Sequence, residues 1–190
     1  KFVDTSVALI ALHGTTGRPK EAEAAFQDTL ALLEKLCSAS PATPEKKVAF
    51  AERYRNLSID LRGAGRGADA ETAGRMGVKL FEDLVAQAPG SVDYAAGLAW
   101  ARHEHTWALV TLKRFEEAEK VSGSAVQGWE AVLPKTPDNA WYQWVYVHAL
   151  LARGDALRGL NRPAAAAEAV DRARERLERM LLATPANPEY

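Results

Sequence analysis

The chain has 190 residues, with 24 Lys and Arg against 25 Asp and Glu, a net charge of −1 and a pI near 6.5. That balance excludes the clustered positive charge that nucleic acid or an anionic membrane surface requires. The single cysteine, Cys37, excludes an intrachain disulfide framework and agrees with a reducing, cytoplasmic setting, and the longest apolar runs, such as 7–12, are too short to span a bilayer.

Residues 2–13 have a helical pattern that ends at His13-Gly14-Thr15-Thr16-Gly17, and Arg18 opens a helix expected over 18–38. Pro41 ends it. Thr43, followed by Pro44 at the first helical position, starts the next, 44–63, because a hydroxyl there accepts from a free helix N–H and proline has none to lose. Gly63 and Gly65 stop it before Arg66 opens 66–88. Ser91 then caps 91–112, Arg114 precedes 115–133, Asn139 caps 139–160, and Arg162 precedes 163–183. Asn187-Pro188-Glu189-Tyr190 has the form of one more helix start. No stretch alternates as a strand does.

This order repeats at a fixed interval. Arg18, Arg66, Arg114 and Arg162 are 48 residues apart, as are Pro41, Pro89, Pro137 and Pro185. Four residues after each arginine comes an alanine (Ala22, Ala70, Ala118, Ala166), and fifteen after it a bulky apolar residue (Leu33, Phe81, Trp129, Leu177). A glutamate follows (Glu34, Glu82, Glu130, Glu178), then Leu36, Leu84, Val132 and Met180. A fixed period of this size describes a repeat array. The units are expected at about 1–41, 42–89, 90–137 and 138–190 as a single array, and Lys1 reads as the start of a segment excised from a larger protein.

The preceding helix of each unit carries Tyr54, Leu57, Ser58 and Leu61 ahead of Ala70, with later copies at Arg102, His105, Thr106, Leu109, Ala118 and at Leu150, Arg153, Gly154, Leu157, Ala166. This set resembles the tetratricopeptide (TPR) repeat. The common unit has about 34 residues, so the present one is longer. Gly17 to Glu23, the turn Pro41-Ala42-Thr43-Pro44-Glu45 and Pro185 to Tyr190 make the long variant similar to repeat arrays of large bacterial serine/threonine kinases. The resemblance implies an all-α fold, a right-handed superhelical stack of about eight helices in antiparallel hairpins, a TPR-like α-solenoid. It also implies that the first helix of each hairpin lines a concave groove. Carried over position by position, that groove holds Glu52, Arg55, Asn56, Ile59 and Arg62, then Trp100, His103, Glu104 and Trp107, then His148, Leu151, Asp155 and Arg158.

Catalytic readings fare poorly. His103-Glu104 would open a zinc-protease helix only with a second histidine three residues on, where Trp107 stands, and His103 and His105 fall on different helix faces. The expectation is no enzyme, no metal and no cofactor, with the histidines in hydrogen bonds between helices. The once-per-unit glutamates read as a solvated face or a repeated interhelical contact, and Cys37 as a small core residue. In the cluster Trp141, Tyr142, Trp144 and Tyr146, Tyr142 shares a register with Tyr94 and Tyr190 and reads as structural. Trp144 aligns with the smaller Val48 and Ala96 and reads as a ligand shelf. Phe26 aligns with Gly74, and Gly77 follows one turn on; Trp107 or Trp100 is expected to fill the space these glycines leave.

The function expected is a non-catalytic scaffold that holds a peptide or protein segment in the groove. The site residues are Arg55, Asn56, Arg62, Trp100, His103, Glu104, Trp107, Trp144, His148 and Asp155. Alternatives are a small-molecule sensor or a domain controlling an attached kinase, for which Trp100, Trp107 and Trp144 would close a pocket. A structural spacer is the third, self-associating or joined to further repeats through a terminal apolar face at Leu177, Met180 and Leu181.

Overall fold

The computed structural model describes residues 6, 8–10, 12–13, 16–38 and 43–183. Residues 6, 8–10 and 12–13 are helical. Seven bounded helices follow: α1 (Pro19–Ser38), α2 (Pro44–Gly63), α3 (Gly67–Gln87), α4 (Val92–Thr111), α5 (Phe115–Val132), α6 (Ala140–Gly159) and α7 (Pro163–Ala183). The described residues contain no strand. Pro41, Pro185 and the helix start at Asn187 lie outside the described residues, as does the Tyr190 register position.

The 48-residue interval has a local cause at each turn. Gly17, Gly65, Lys113 and Asn161 adopt left-handed φ of 72°, 76°, 58° and 56°. The N–H of the arginine after each donates back to the carbonyl of His13, Leu61, Leu109 and Leu157, at 2.8, 2.9, 3.0 and 3.0 Å. This six-residue closure satisfies an orphan carbonyl at the end of one helix. The arginine's own carbonyl then accepts from the alanine four residues on, at 2.9 to 3.1 Å, and starts the next helix. Glycine meets the left-handed requirement freely; Lys113 and Asn161 meet it at a small steric cost.

At the other end of each hairpin the caps act as expected. Thr43, Ser91 and Asn139 accept from the N–H groups of Lys46, Tyr94 and Tyr142 at 3.4, 3.3 and 3.0 Å. One boundary differs from expectation. α5 stops at Val132 and the chain tightens into a single 3₁₀ turn, Leu133–Lys135, because Pro134 has no N–H to continue the α ladder.

Helices pack as antiparallel hairpins, α2 on α3, α4 on α5 and α6 on α7, and successive hairpins stack. α4 also touches α2 on one side and α6 on the other, whereas α3, α5 and α7 make no comparable contact with one another. The first helices therefore lie closer together than the second ones, which puts them on the inner side of the curve. The core runs through the stack, with Tyr54, Leu57, Leu61, Phe81, Leu84, Leu109, Trp129 and Leu150 buried. The small position between paired helices recurs as Ser58, Thr106 and Gly154, and Ser58 Oγ donates to the Ala70 carbonyl at 2.6 Å.

Two expectations are corrected by the packing. No tryptophan covers the glycines of α3. A side-chain carbon on Gly74 would lie 3.1 Å from Ser58 Oγ and 3.3 Å from His105 Cα, and one on Gly77 would lie 3.3 Å from both the Ala51 carbonyl and the Arg55 nitrogen. The space is taken by neighbouring backbone, since removing a side chain lets α2 and α4 move in; Trp100 and Trp107 face elsewhere. Nor do the three residues of the last helix form one exposed apolar face. Met180 is buried in the core and Leu177 is half-buried, so only Leu181 of the three is exposed.

Candidate groove site

Three helices present side chains to the inner side, and their spacing follows the helical repeat. From α4 come Trp100, His103, Glu104 and Trp107; from α6 come Trp141, Trp144, Val145 and His148, both sets at i, i+3, i+4, i+7. α2 contributes Arg55 and Arg62. Arg62, the four α4 residues and the four α6 residues line one cleft of about 190 Å³. A second cleft, of about 420 Å³, is lined by Glu45, Val48, Glu52, Arg55, Phe81, Asp93, Tyr94, Ala96, Gly97, Trp100 and Tyr142. Trp100 is common to both, so the two clefts adjoin along the inner side and together make up the groove.

The floor is a chain of polar groups built on α4. Trp107 Nε1 donates to His103 Nε2 at 2.9 Å, and Trp100 Nε1 donates to Glu104 Oε1 at 3.3 Å. With Nε2 accepting, the neutral ring carries its proton on Nδ1, which lies 3.6 Å from Glu104 Oε1. Burial pushes the His103 pKa down to about 3, helped by His148 and Arg62, so the ring is uncharged near neutral pH. Burial raises Glu104, against the pull of Arg62, the Trp100 hydrogen bond and Arg55.

Two guanidiniums lie against the tryptophans. Arg55 stacks 3.7 Å from the Trp100 ring centre, and Arg62 stands 5.9 Å from that of Trp107 and 3.6 Å from Glu104 Oε2. On the far wall Trp144 meets His148 edge-on at 4.4 Å, His148 is 6.3 Å from His103, and Trp141 meets Trp100 edge-on at 5.5 Å. Trp141 is 48% exposed, a large aromatic surface open to solvent.

Of the sequence-derived site residues, Arg62, Trp100, His103, Glu104, Trp107, Trp144 and His148 come together in the smaller cleft, and Arg55 joins the larger one through Trp100. Asn56 and Asp155 line neither. Asn56 Oδ1 accepts from Arg55 at 3.3 and 3.4 Å and steadies it, and Asp155 pairs with Arg158 at 2.6 Å. Sequence reasoning missed Val145, Phe81 and the acidic residues Glu45 and Asp93. Gly97 was the available signal. A side-chain carbon there would lie 2.2 Å from the Phe81 ring, so the glycine lets Phe81 pack edge-on into α4 and form the cleft wall.

Chemistry on a substrate needs converging ionisable groups near their working pKa. His103 is held far below that range, His105 faces away from the groove and bonds Glu71 at 3.2 Å, and the described residues contain no group of three or more metal-ligating side chains. Two of the once-per-unit glutamates make interhelical contacts, Glu82 accepting from Arg102 at 2.9 Å and Glu130 from Tyr146 and Arg172, whereas Glu178 pairs within its own helix with Arg174 at 3.2 Å. Cys37 is half-buried, and burial raises its thiol pKa. A further cleft, about 560 Å³, lies away from the groove beside α7; two of its arginines, Arg172 and Arg179, are already paired with Glu130 and Glu175. No described helix is long and apolar enough to cross a membrane.

No protein-family model and no curated protein matches the chain. Among solved structures it is similar to a Podosopora anserina protein built of nearly identical TPR-like repeats and assigned as a kinesin light chain. That likeness covers 97% of both chains, at 15% identity and a TM-score of 0.38. The hairpin architecture stands on the helix packing described above.

Proposed function

We propose that the chain is a non-catalytic scaffold that holds a segment of a protein partner in the groove lined by α2, α4 and α6. One observation carries this reading: the groove breaks the period that the packing obeys. Side chains that hold the stack recur every 48 residues, because each unit has the same neighbours to satisfy. The groove residues do not recur. Trp100 aligns with Glu52 and His148, Trp107 with Ile59 and Asp155, and Trp144 with Val48 and Ala96. Where buried positions differ, as Phe26 and Gly74 do, neighbouring helices take up the difference; the groove residues differ on a face that opens into a cleft, where what they answer to lies outside the stack.

The groove also has the form of a recognition surface rather than an enclosed chamber. Its tryptophans offer wide contact area with little rotamer freedom to lose, and two arginines supply directional donors. We read the four units as one array working as a single surface. The test is a peptide array or pull-down read with Trp144→Ala beside the unaltered chain. Trp144 lies at the cleft wall and is half-buried against the core, so its loss is expected to weaken partner binding by about thirtyfold, as for an interface hot spot, measured at a temperature where both proteins keep their full helical circular dichroism. A partner held equally well by both proteins refutes the groove as the binding surface.

A further inference from the structure

Resting on the groove reading above, we infer the chemistry of the occupant: a partner segment that places a lysine or arginine beside a bulky apolar residue. The larger cleft has aromatic walls, with Tyr94, Trp100 and Tyr142 around it, and three carboxylates, Glu45, Glu52 and Asp93. None of the three is ion-paired to a described lysine or arginine. The cation present is Arg55, 6% exposed, stacked on the face of Trp100 and attracted by both Glu52 and Glu104.

The adjoining cleft supplies an independent observation. Glu104 is 8% exposed, and its Oε2 accepts no hydrogen bond; its nearest cation, Arg62, stands 3.6 Å off, beyond hydrogen-bond reach. A buried carboxylate oxygen without a donor is costly, and a donor brought by a ligand relieves that cost. Along the groove four carboxylates (Glu45, Glu52, Asp93, Glu104) therefore outnumber two guanidiniums, Arg62 set opposite Glu104 and Arg55 stacked on Trp100, and the groove keeps an excess of negative charge.

Carboxylates beside electron-rich ring faces select cations, since the ring quadrupole and the charge act in the same direction. Lysine brings three N–H donors and arginine five, and neither brings an acceptor, which suits a surface rich in acceptors. An acidic segment would set like charges opposite each other in the same cleft. The open face of Trp141 and the wall at Trp144 and Val145 leave the smaller cleft to the apolar neighbour.

The probe is a displayed random dodecapeptide library panned against the whole chain, with the winners re-measured as free peptides. Selected peptides are expected to be enriched in Lys or Arg next to Trp, Phe or Leu, and to bind more weakly as salt rises. The double variant Glu52→Gln/Asp93→Asn should lose about tenfold in affinity for them while melting as before. If no peptide is selected, or the selected ones bind Trp144→Ala unchanged, the groove reading falls and this inference with it. If peptides lose affinity for Trp144→Ala but are neutral or acidic, or ignore the double variant, the groove stands and the basic occupant is refuted.

Discussion

The first two junctions between hairpins solve the same problem in opposite ways. Where α1 meets the next hairpin, Phe26, Leu30 and Leu33 project into a cluster with Tyr54, Leu57, Leu61, Ala70 and Ala73. Few backbone positions of α1 and α2 come close, and Leu36 near the end of α1 is left 49% exposed. Where α3 meets α4, the position of Phe26 is Gly74, and the backbones close up until His105 Cα nearly touches the glycine. One junction is filled by side chains, the other by main chain. A polar link crosses both at matched positions: Arg66 donates to Glu23 at 2.7 Å, and Arg114 stands 3.7 Å from Glu71. Register is thus shared by both junctions while spacing is local, and spacing follows from the volume at a single position.

The sharpest way to break the comparison is to exchange the two solutions. Gly74→Phe drives a ring into the α4 backbone, which has no flexible end to yield, and should cost about 3 kcal/mol or more in chemical denaturation. An unchanged midpoint would mean the second junction is not backbone-filled. Phe26→Ala empties the first junction and removes the ring 5.8 Å from the Arg66 guanidinium; its expected cost is about 3 kcal/mol, measured the same way.

A smaller effect separates the junctions by pH. The second holds His105, buried and bonded to Glu71, where the first has Leu57. Burial lowers the His105 pKa, Arg114 and Arg75 push the same way, and Glu71 only partly opposes them. A histidine with a folded pKa below its unfolded value of 6.5 is protonated first in the unfolded chain, so stability falls as pH drops below about 6.5. His105→Leu should flatten that fall by up to about 1.4 kcal/mol per pH unit, read as denaturation midpoints across the acid range. A slope left unchanged would assign the acid sensitivity to His103 and His148, whose pKa values are also lowered. Smallest of all, Glu82→Gln removes an exposed interhelical pair with Arg102 and should cost under about 1 kcal/mol; a larger loss would mean that such pairs, and not the junction volumes, hold the stack.

How much of this was legible beforehand depended on range. The bounds of the seven helices between Pro19 and Ala183 were, apart from the 3₁₀ turn at Pro134, because caps and left-handed turns act within about six residues. The groove residues were singled out through the family resemblance and not by periodicity, and seven of them line one cleft. What fills Gly74, and which cleft Arg55 enters, were not. Those answers depend on how near one helix lies to another, and no local pattern records that distance.

By itself the chain order determined an array of helices with a strict interval, since each arginine turn carries its own hydrogen-bond closure and Thr43, Ser91 and Asn139 cap the helices between them. Only tertiary structure decided that Arg55 stacks on Trp100, that Arg62 faces Glu104 and that Glu45, Glu52 and Asp93 share a cleft with Tyr142. These groups stand on helices a unit or more apart, and the depth of the side chains between the helices sets which of them can meet.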